Sequence, residues 1–135
     1  MIIGTIEDGD IPAVLDLWAR SGLLHPDNDA RADIARARST ANATLLVGRK
    51  GSVVIATALV GLDGHRGWVY YLAVEPRLQR VGHGKAMLEA AEGWLRQRGA
   101  PKAMLMVAEA NSGALGFYRE LGYTRSPAAT MGRRL

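Results

Sequence analysis

The chain has no cysteine. Disulfides, thiolate metal sites and a cysteine nucleophile are therefore excluded together, and nothing follows about redox compartment. No apolar run approaches the ~18 residues that a membrane-spanning helix requires. The N-terminal run Met1 to Thr5 is short and lacks the basic flank and small-residue cleavage site of a signal peptide, so the expected location is the cytoplasm. Aromatic residues are scarce: three Trp, four Tyr and one Phe, eight in all. Basic residues are scattered from Arg20 to Arg134 without a block of five. A nucleic-acid surface would need a basic stripe interleaved with aromatics, so no nucleic-acid partner is expected. His25, His65 and His83 have no ligand spacing with one another, and no Gly-x-Ser-x-Gly elbow exists. Neither a metal site nor a serine hydrolase is expected.

What is present fits one soluble domain covering residues 1–135. The length is 135 residues, with 48% hydrophobic and 22% charged residues, enough for one core but not two. The formal charge of +4 favours an anionic partner, with a phosphorylated cofactor and plain solubility both allowed. No repeat, low-complexity tract or linker interrupts the chain.

The pattern predicts a strand over Met1 to Ile6, then a helix capped by Asp10 with Ile11, Val14, Leu15 and Trp18 at helical spacing, stopped by Gly22. His25-Pro26-Asp27-Asn28 reads as a turn and Asp29 to Arg38 as a more polar helix. Ala43 to Arg49 and Val53 to Leu62, joined by Lys50-Gly51-Ser52, form a hairpin. Asp63 to Gly67 then leads to Trp68 to Val74, a central strand ended by Pro76. Gly82 to Arg98 is a long amphipathic helix, Met104 to Ala108 a strand and Ser112 to Leu121 a helix, with room for one or two short strands after Gly122. The order β-α-α-β-β-β-α-β-α-β, with room for one more strand, is a mixed sheet flanked by about four helices, of the α/β or α+β class.

The sharpest local feature is Gln79-Arg80-Val81-Gly82-His83-Gly84-Lys85-Ala86, between that central strand and the long helix. A helix start presents unpaired N–H groups and the positive end of its dipole, and glycines let an oxyanion approach them without meeting a β-carbon. Arg77, Arg80 and Lys85 add positive charge. Spelling separates this phosphate seat from two rivals. A nucleotide-triphosphatase loop needs Gly where Gln79 stands and Ser or Thr where Ala86 stands. A dinucleotide fingerprint needs Gly or Ala at Met87 and an early βαβ position.

Val74-x-Pro76-x-x-Gln79-x-x-Gly82-x-Gly84 resembles the first motif of the GNAT N-acetyltransferases. Asn111-x-x-Ala114-x-x-x-Tyr118-x-x-x-Gly122-Tyr123 is similar to a second signature of that family at the usual distance downstream, and the order of elements matches along nearly the whole chain. One departure is visible: the family often has Gly where Arg80 stands.

The resemblance implies a fold, a cosubstrate and an activity. Acetyl-CoA would be bound by the loop residues Gln79, Arg80, Val81, Gly82, His83, Gly84 and Lys85. Its pantetheine arm would lie where the strand Tyr71 to Val74 splays from Met104 to Val107. A main-chain N–H within Leu72, Ala73 and Val74 would bond the thioester carbonyl and stabilise the oxyanion. Tyr118 would protonate the leaving CoA thiolate, or else is a core tyrosine beside Phe117. Asn111 would bond the cofactor arm, or else simply caps its helix. The reaction is acetyl transfer to a primary amine by direct attack in a ternary complex; a non-catalytic acetyl-CoA sensor is the alternative.

An alkylamine of pKa ~10.4 is neutral only about once in 2,500 molecules at pH 7, so a base must take a proton. Glu75 and Glu109, each at a strand end, are the candidates, with surface charge as the other reading of each. On the acceptor side stand His25 and Asn28, and the loop holding Asp63, His65 and Arg66. A branch of small bacterial GNAT proteins is similar in carrying this Asp-Gly-His-Arg-Gly sequence. The loop is either a plain glycine turn or one in which His65 or Arg66 positions the acceptor. Candidate acceptors include a protein N-terminus, a lysine, an amino acid, a polyamine and an aminoglycoside, and a homodimer is a family-level expectation.

Overall fold

A computed structural model describes all of residues 1–135. Its backbone falls into two units, Met1–Leu105 and Met106–Leu135. The larger holds β1 (Ile2–Thr5), α1 (Ile11–Arg20), α2 (Ala30–Arg38), β2 (Ala43–Lys50), β3 (Val53–Leu62), β4 (Gly67–Val74), α3 (His83–Gln97) and β5 (Ala103–Leu105). The smaller holds α4 (Ser112–Glu120).

The sheet runs in sequence order, β1-β2-β3-β4-β5. The first four strands are antiparallel neighbours and β5 lies parallel to β4. Tight turns set this meander: Gly51, at φ 63°, lies in the two-residue link between Lys50 and Val53, a conformation that L side chains resist. Helices lie on both faces. Trp18 of α1 bonds Thr57 of β3, whereas Gly48 of β2 lies against Met87 of α3 and Gly67 of β4 against Leu95 of α3. Alternation along β2 and β3 places these contacts on opposite faces.

On the α1 face the core gathers Val14, Leu17, Trp18, Ile34, Leu45 and Val47. Val14, Leu17 and Trp18 share one helical stripe, and each such side chain, fully buried, contributes roughly 1.5–3 kcal/mol. α2 is entered through Asp29, whose Oδ1 accepts from the Ala32 N–H at 3.0 Å. α1 differs from expectation at its cap. Asp10 stands at the N-cap without a capping bond. Its carboxylate instead accepts from the Glu7 N–H at 2.8 Å and pairs with Arg49 on β2, a stronger, charged partner.

Two further differences concern the end of the chain. β5 is Ala103–Leu105 rather than Met104 to Ala108. No strand forms after Gly122, and residues 124–135 are exposed throughout. That stretch, with Ser126-Pro127 and Gly132, has no apolar alternation with which to cover a sheet face.

Candidate active site

The middle of β4 departs from regular strand geometry. Its register against β3 passes from Leu59↔Tyr70 to Thr57↔Ala73, so two residues, Tyr71 and Leu72, oppose Ala58 alone. Tyr71 carries φ 50°, a left-handed value rare for a tyrosine. This bulge shifts the alternation by one, turning Tyr71 onto the α1 face along with Tyr70 and Ala73. There its ring stacks on Trp18 with centroids 3.8 Å apart and planes 9° from parallel. Its hydroxyl donates to Asp33 Oδ2 of α2 at 2.6 Å. Burial, then the hydrogen bond to Asp33, pushes the Tyr71 hydroxyl well above its ordinary pKa.

The other edge of β4 is open along its second half. Pairing with β5 covers only Gly67↔Ala103 to Val69↔Leu105. The direction of the main-chain groups beyond follows from the hydrogen bonds. The Glu75 N–H donates to Ile55 O across β3 at 2.7 Å, so Val74 O, on the far side of that same peptide, points the other way. It accepts from Gln79 Nε2 at 3.3 Å. Tyr71 O accepts from Thr57 Oγ1 at 2.8 Å, so the Leu72 N–H of that peptide also points away from β3. Alternation gives the Val74 N–H the same direction. Two donors therefore face the edge where the β4–β5 ladder has ended.

Pro76–Leu78 forms one 3-10 turn after β4, and the chain enters α3 through Gly82. Gly82 is left-handed at φ 95°, and no side chain caps the helix. Arg80 is left-handed as well, at φ 66°. The glycine frequent at that position in the resembled motif thus has a physical counterpart here: an arginine held in a glycine conformation. The uncapped amides at the start of the 15-residue α3 are the donors that a phosphate needs. Arg77 and Arg80 form no ion pair, and Lys85 reaches only Glu89, at 3.9 Å. Donors, positive charge and the absence of a β-carbon at Gly82 together fit a pyrophosphate.

Of the other residues singled out from sequence, Glu75 stands at the end of β4. It accepts from Arg20 Nη1 at 2.5 Å, and both line a shallow open groove with Val53, Ile55, Pro76 and Leu78. Asp63 is the knot of its own loop: Oδ1 accepts from the N–H groups of His65 at 2.8 Å and Arg66 at 2.7 Å, and Oδ2 from Trp68 Nε1 at 3.1 Å. Those bonds, with Arg66 and His65 first, hold its pKa below the ordinary value. This loop and the Gln79–Lys85 loop sit at opposite ends of β4, which at about 3.3 Å per residue puts them roughly 25 Å apart. His25 and Asn28 make their contacts inside the α1–α2 turn, His25 Nδ1 accepting from the Asp27 N–H at 3.1 Å and His25 O from the Asn28 N–H at 3.0 Å.

In the smaller unit, Asn111 Oδ1 accepts from the Ala114 N–H at 3.0 Å and caps α4. Glu109 is exposed and pairs with Arg125 at 3.0 Å. Tyr118 meets Phe117 and Tyr123 edge-on, with centroids 5.1 and 5.9 Å away. Burial raises its pKa, so the phenol keeps its proton at neutral pH.

Sequence reasoning missed Trp18, Thr57, Asp33 and Arg20. One signal was available. Thr57 is the only threonine in the apolar run Val53 to Leu62 and is the one polar residue fully buried in the fold.

An open strand edge beside a bulge thus runs into an uncapped helix through a glycine-bearing loop, an arrangement whose main-chain donors are chemically suited to a carbonyl and a phosphate. Residues 11–123 match the acetyltransferase (GNAT) family, and the chain belongs to that family, whose members use acetyl-CoA; by class it is an N-acetyltransferase. The match runs through both units. Among solved structures, the ribosomal-protein-S18-alanine N-acetyltransferase of Escherichia coli is similar at 24% identity, with 93% of this chain and 78% of that one covered and a TM-score of 0.78. An aminoglycoside antibiotic 6'-N-acetyltransferase of Acinetobacter haemolyticus aligns at 18% identity over 100% and 99% of the two chains, TM-score 0.82. A transcriptional regulator of Bacillus halodurans aligns at 16% over 98% and 99%, TM-score 0.84. At these identities the likeness is one of fold.

Proposed function

We propose that the chain transfers the acetyl group of acetyl-CoA to a primary amine by direct attack within a ternary complex. The observation that carries this reading is the pair of main-chain donors, Leu72 N–H and Val74 N–H, on the open edge of β4, immediately before the uncapped start of α3. Acetyl-CoA supplies the activated thioester. The residues from Gln79 to Lys85 hold its pyrophosphate, and the Leu72 N–H bonds the thioester carbonyl and then the oxyanion formed as the amine attacks. The new bond is amine nitrogen to carbonyl carbon, and the C–S bond breaks. Tyr118, protonated at neutral pH, gives its proton to the departing thiolate.

The ammonium must lose a proton before attack. Glu75 and Glu109 remain the bases proposed, directly or through water; the oxygen of each that pairs with an arginine must be released, or the other oxygen used, for the carboxylate to accept that proton. The acceptor is proposed only as a primary amine. The similar folds include one acting on an aminoglycoside and one on a ribosomal-protein alanine, so a small molecule and a peptide are both tested. His25, Asn28, His65 and Arg66 are proposed to face it, with Asp63 shaping the loop.

Calorimetric titration with acetyl-CoA tests the reading, comparing wild type with a folded Gly82→Glu/Gly84→Glu double variant. Binding that is lost in the variant supports it and leads to screening amines for thiol release. A folded wild type that does not bind refutes it. Tyr118→Phe should then keep acetyl-CoA affinity and lose turnover; unchanged turnover removes Tyr118 from the mechanism.

A further inference from the structure

Thr57 is buried to 0% exposure in the middle of β3, where a valine would fit the strand as well and need no partner. Its hydroxyl has two. It accepts from Trp18 Nε1 at 2.9 Å and donates to Tyr71 O at 2.8 Å. The oxygen that it holds belongs to the bulged peptide, whose N–H is that of Leu72. Because C=O and N–H of a trans peptide point in opposite directions, fixing Tyr71 O toward β3 fixes the Leu72 N–H toward the open edge.

The three links run in one sense: indole N–H to hydroxyl, hydroxyl to carbonyl, and through the peptide to the outward N–H. Hydrogen bonds in such a chain polarise one another, more so where water is excluded. A peptide whose carbonyl is already bonded is a stronger donor at its nitrogen. The same bulge is clamped by the ring of Tyr71 between Trp18 and Asp33, which holds the left-handed Tyr71 backbone against its natural tendency to relax.

We infer that Trp18 and Thr57 are positioning residues that aim and polarise the Leu72 N–H toward the acetyl thioester carbonyl through the carbonyl of Tyr71. This rests on the acetyl-CoA reading above and adds to it two side chains that touch neither cosubstrate nor acceptor. No proton moves along the links from Trp18 through Thr57 to Tyr71; the device acts by direction and polarisation alone.

The test uses two probes. Calorimetry with CoA, which has no acetyl carbonyl, reports the cofactor site. Infrared spectroscopy of bound acetyl-CoA labelled with carbon-13 at the acetyl carbonyl reports the bond to Leu72. In wild type the labelled stretch should fall to lower frequency on binding. Thr57→Val should return it toward the free value, with CoA affinity unchanged to within about twofold. Thr57→Ser, which keeps the hydroxyl, should retain the wild-type stretch, and Trp18→Phe should lose part of the shift. A Thr57→Val protein that binds CoA and shows the full wild-type shift overturns the inference, as does a wild type that binds CoA with no shift. If Thr57→Val does not fold, Trp18→Phe decides: a partial loss supports the inference and a full shift overturns it. A wild type that fails to bind CoA instead overturns the acetyl-CoA reading, and this inference with it.

Discussion

Gly82 and Arg80 both have left-handed backbones, at φ 95° and 66°, and substitutions at the two positions should act with opposite sign. An L residue in that region costs roughly 1–2 kcal/mol relative to its preferred conformations. For Gly82→Ala no steric cost is added, because a β-carbon there would meet nothing within 4 Å. Stiffening the unfolded chain returns roughly 0.4–1 kcal/mol. The net is a loss of about 1 kcal/mol, or about 3–5 °C in Tm for a domain of this size. Arg80→Gly reverses the same terms and should leave stability unchanged or raise it by up to about 1 kcal/mol. Thermal and urea unfolding of both variants measures this. In contrast, acetyl-CoA affinity should fall in both: the alanine methyl projects into the open space over the helix start, and the glycine removes a guanidinium. Loss of one charge-assisted bond, roughly 1.5–3 kcal/mol, weakens binding about tenfold or more. A destabilised Arg80→Gly, or a Gly82→Ala as stable as wild type, would refute the strain argument. Unaltered affinity in both would remove this loop from the cofactor site.

Two other outcomes follow from the packing and the charges. Gly67→Ala places a β-carbon 2.5 Å from both terminal carbons of Leu95, which is itself only 2% exposed; unfolding should show a loss of roughly 1–3 kcal/mol, partly recovered on adding Leu95→Ala. Asp63→Asn should destabilise the chain at neutral pH. Because the folded pKa of Asp63 lies below its unfolded 3.8, its contribution is full above that value and disappears as pH falls through the folded value. The stability difference from wild type should therefore be constant between about pH 5 and 7 and close below about pH 4. A gap that persists at low pH would show that the carboxylate charge is not what its loop uses.

Much of the fold was legible along the chain because its signals are local. Trp18 repeats the spacing of Val14, Gly51 marks the hairpin, and Pro76 ends β4; each acts through its own neighbours within a few residues. The loop from Gln79 to Lys85 was legible for the same reason, since a helix start, its glycines and its cations are contiguous. The expected cap at Asp10 failed because Arg49, 39 residues away, competes for the carboxylate. A last strand could be imagined after Gly122 only because short apolar stretches carry little periodic information.

By itself, then, the sequence determined the element order as far as α4, the glycine-bearing loop that leads into α3, and the family. Only the tertiary structure decided where the β4–β5 ladder ends, that Tyr71 turns through a bulge, and that Thr57 and Trp18 hold the peptide beneath it. It also decided that Glu75 is paired with Arg20 and that Asp63 serves its own turn. The physical reason is the same in each case. A hydrogen bond or ion pair goes to whichever partner folding brings within about 3 Å, and for these residues that partner lies on another strand, helix or turn.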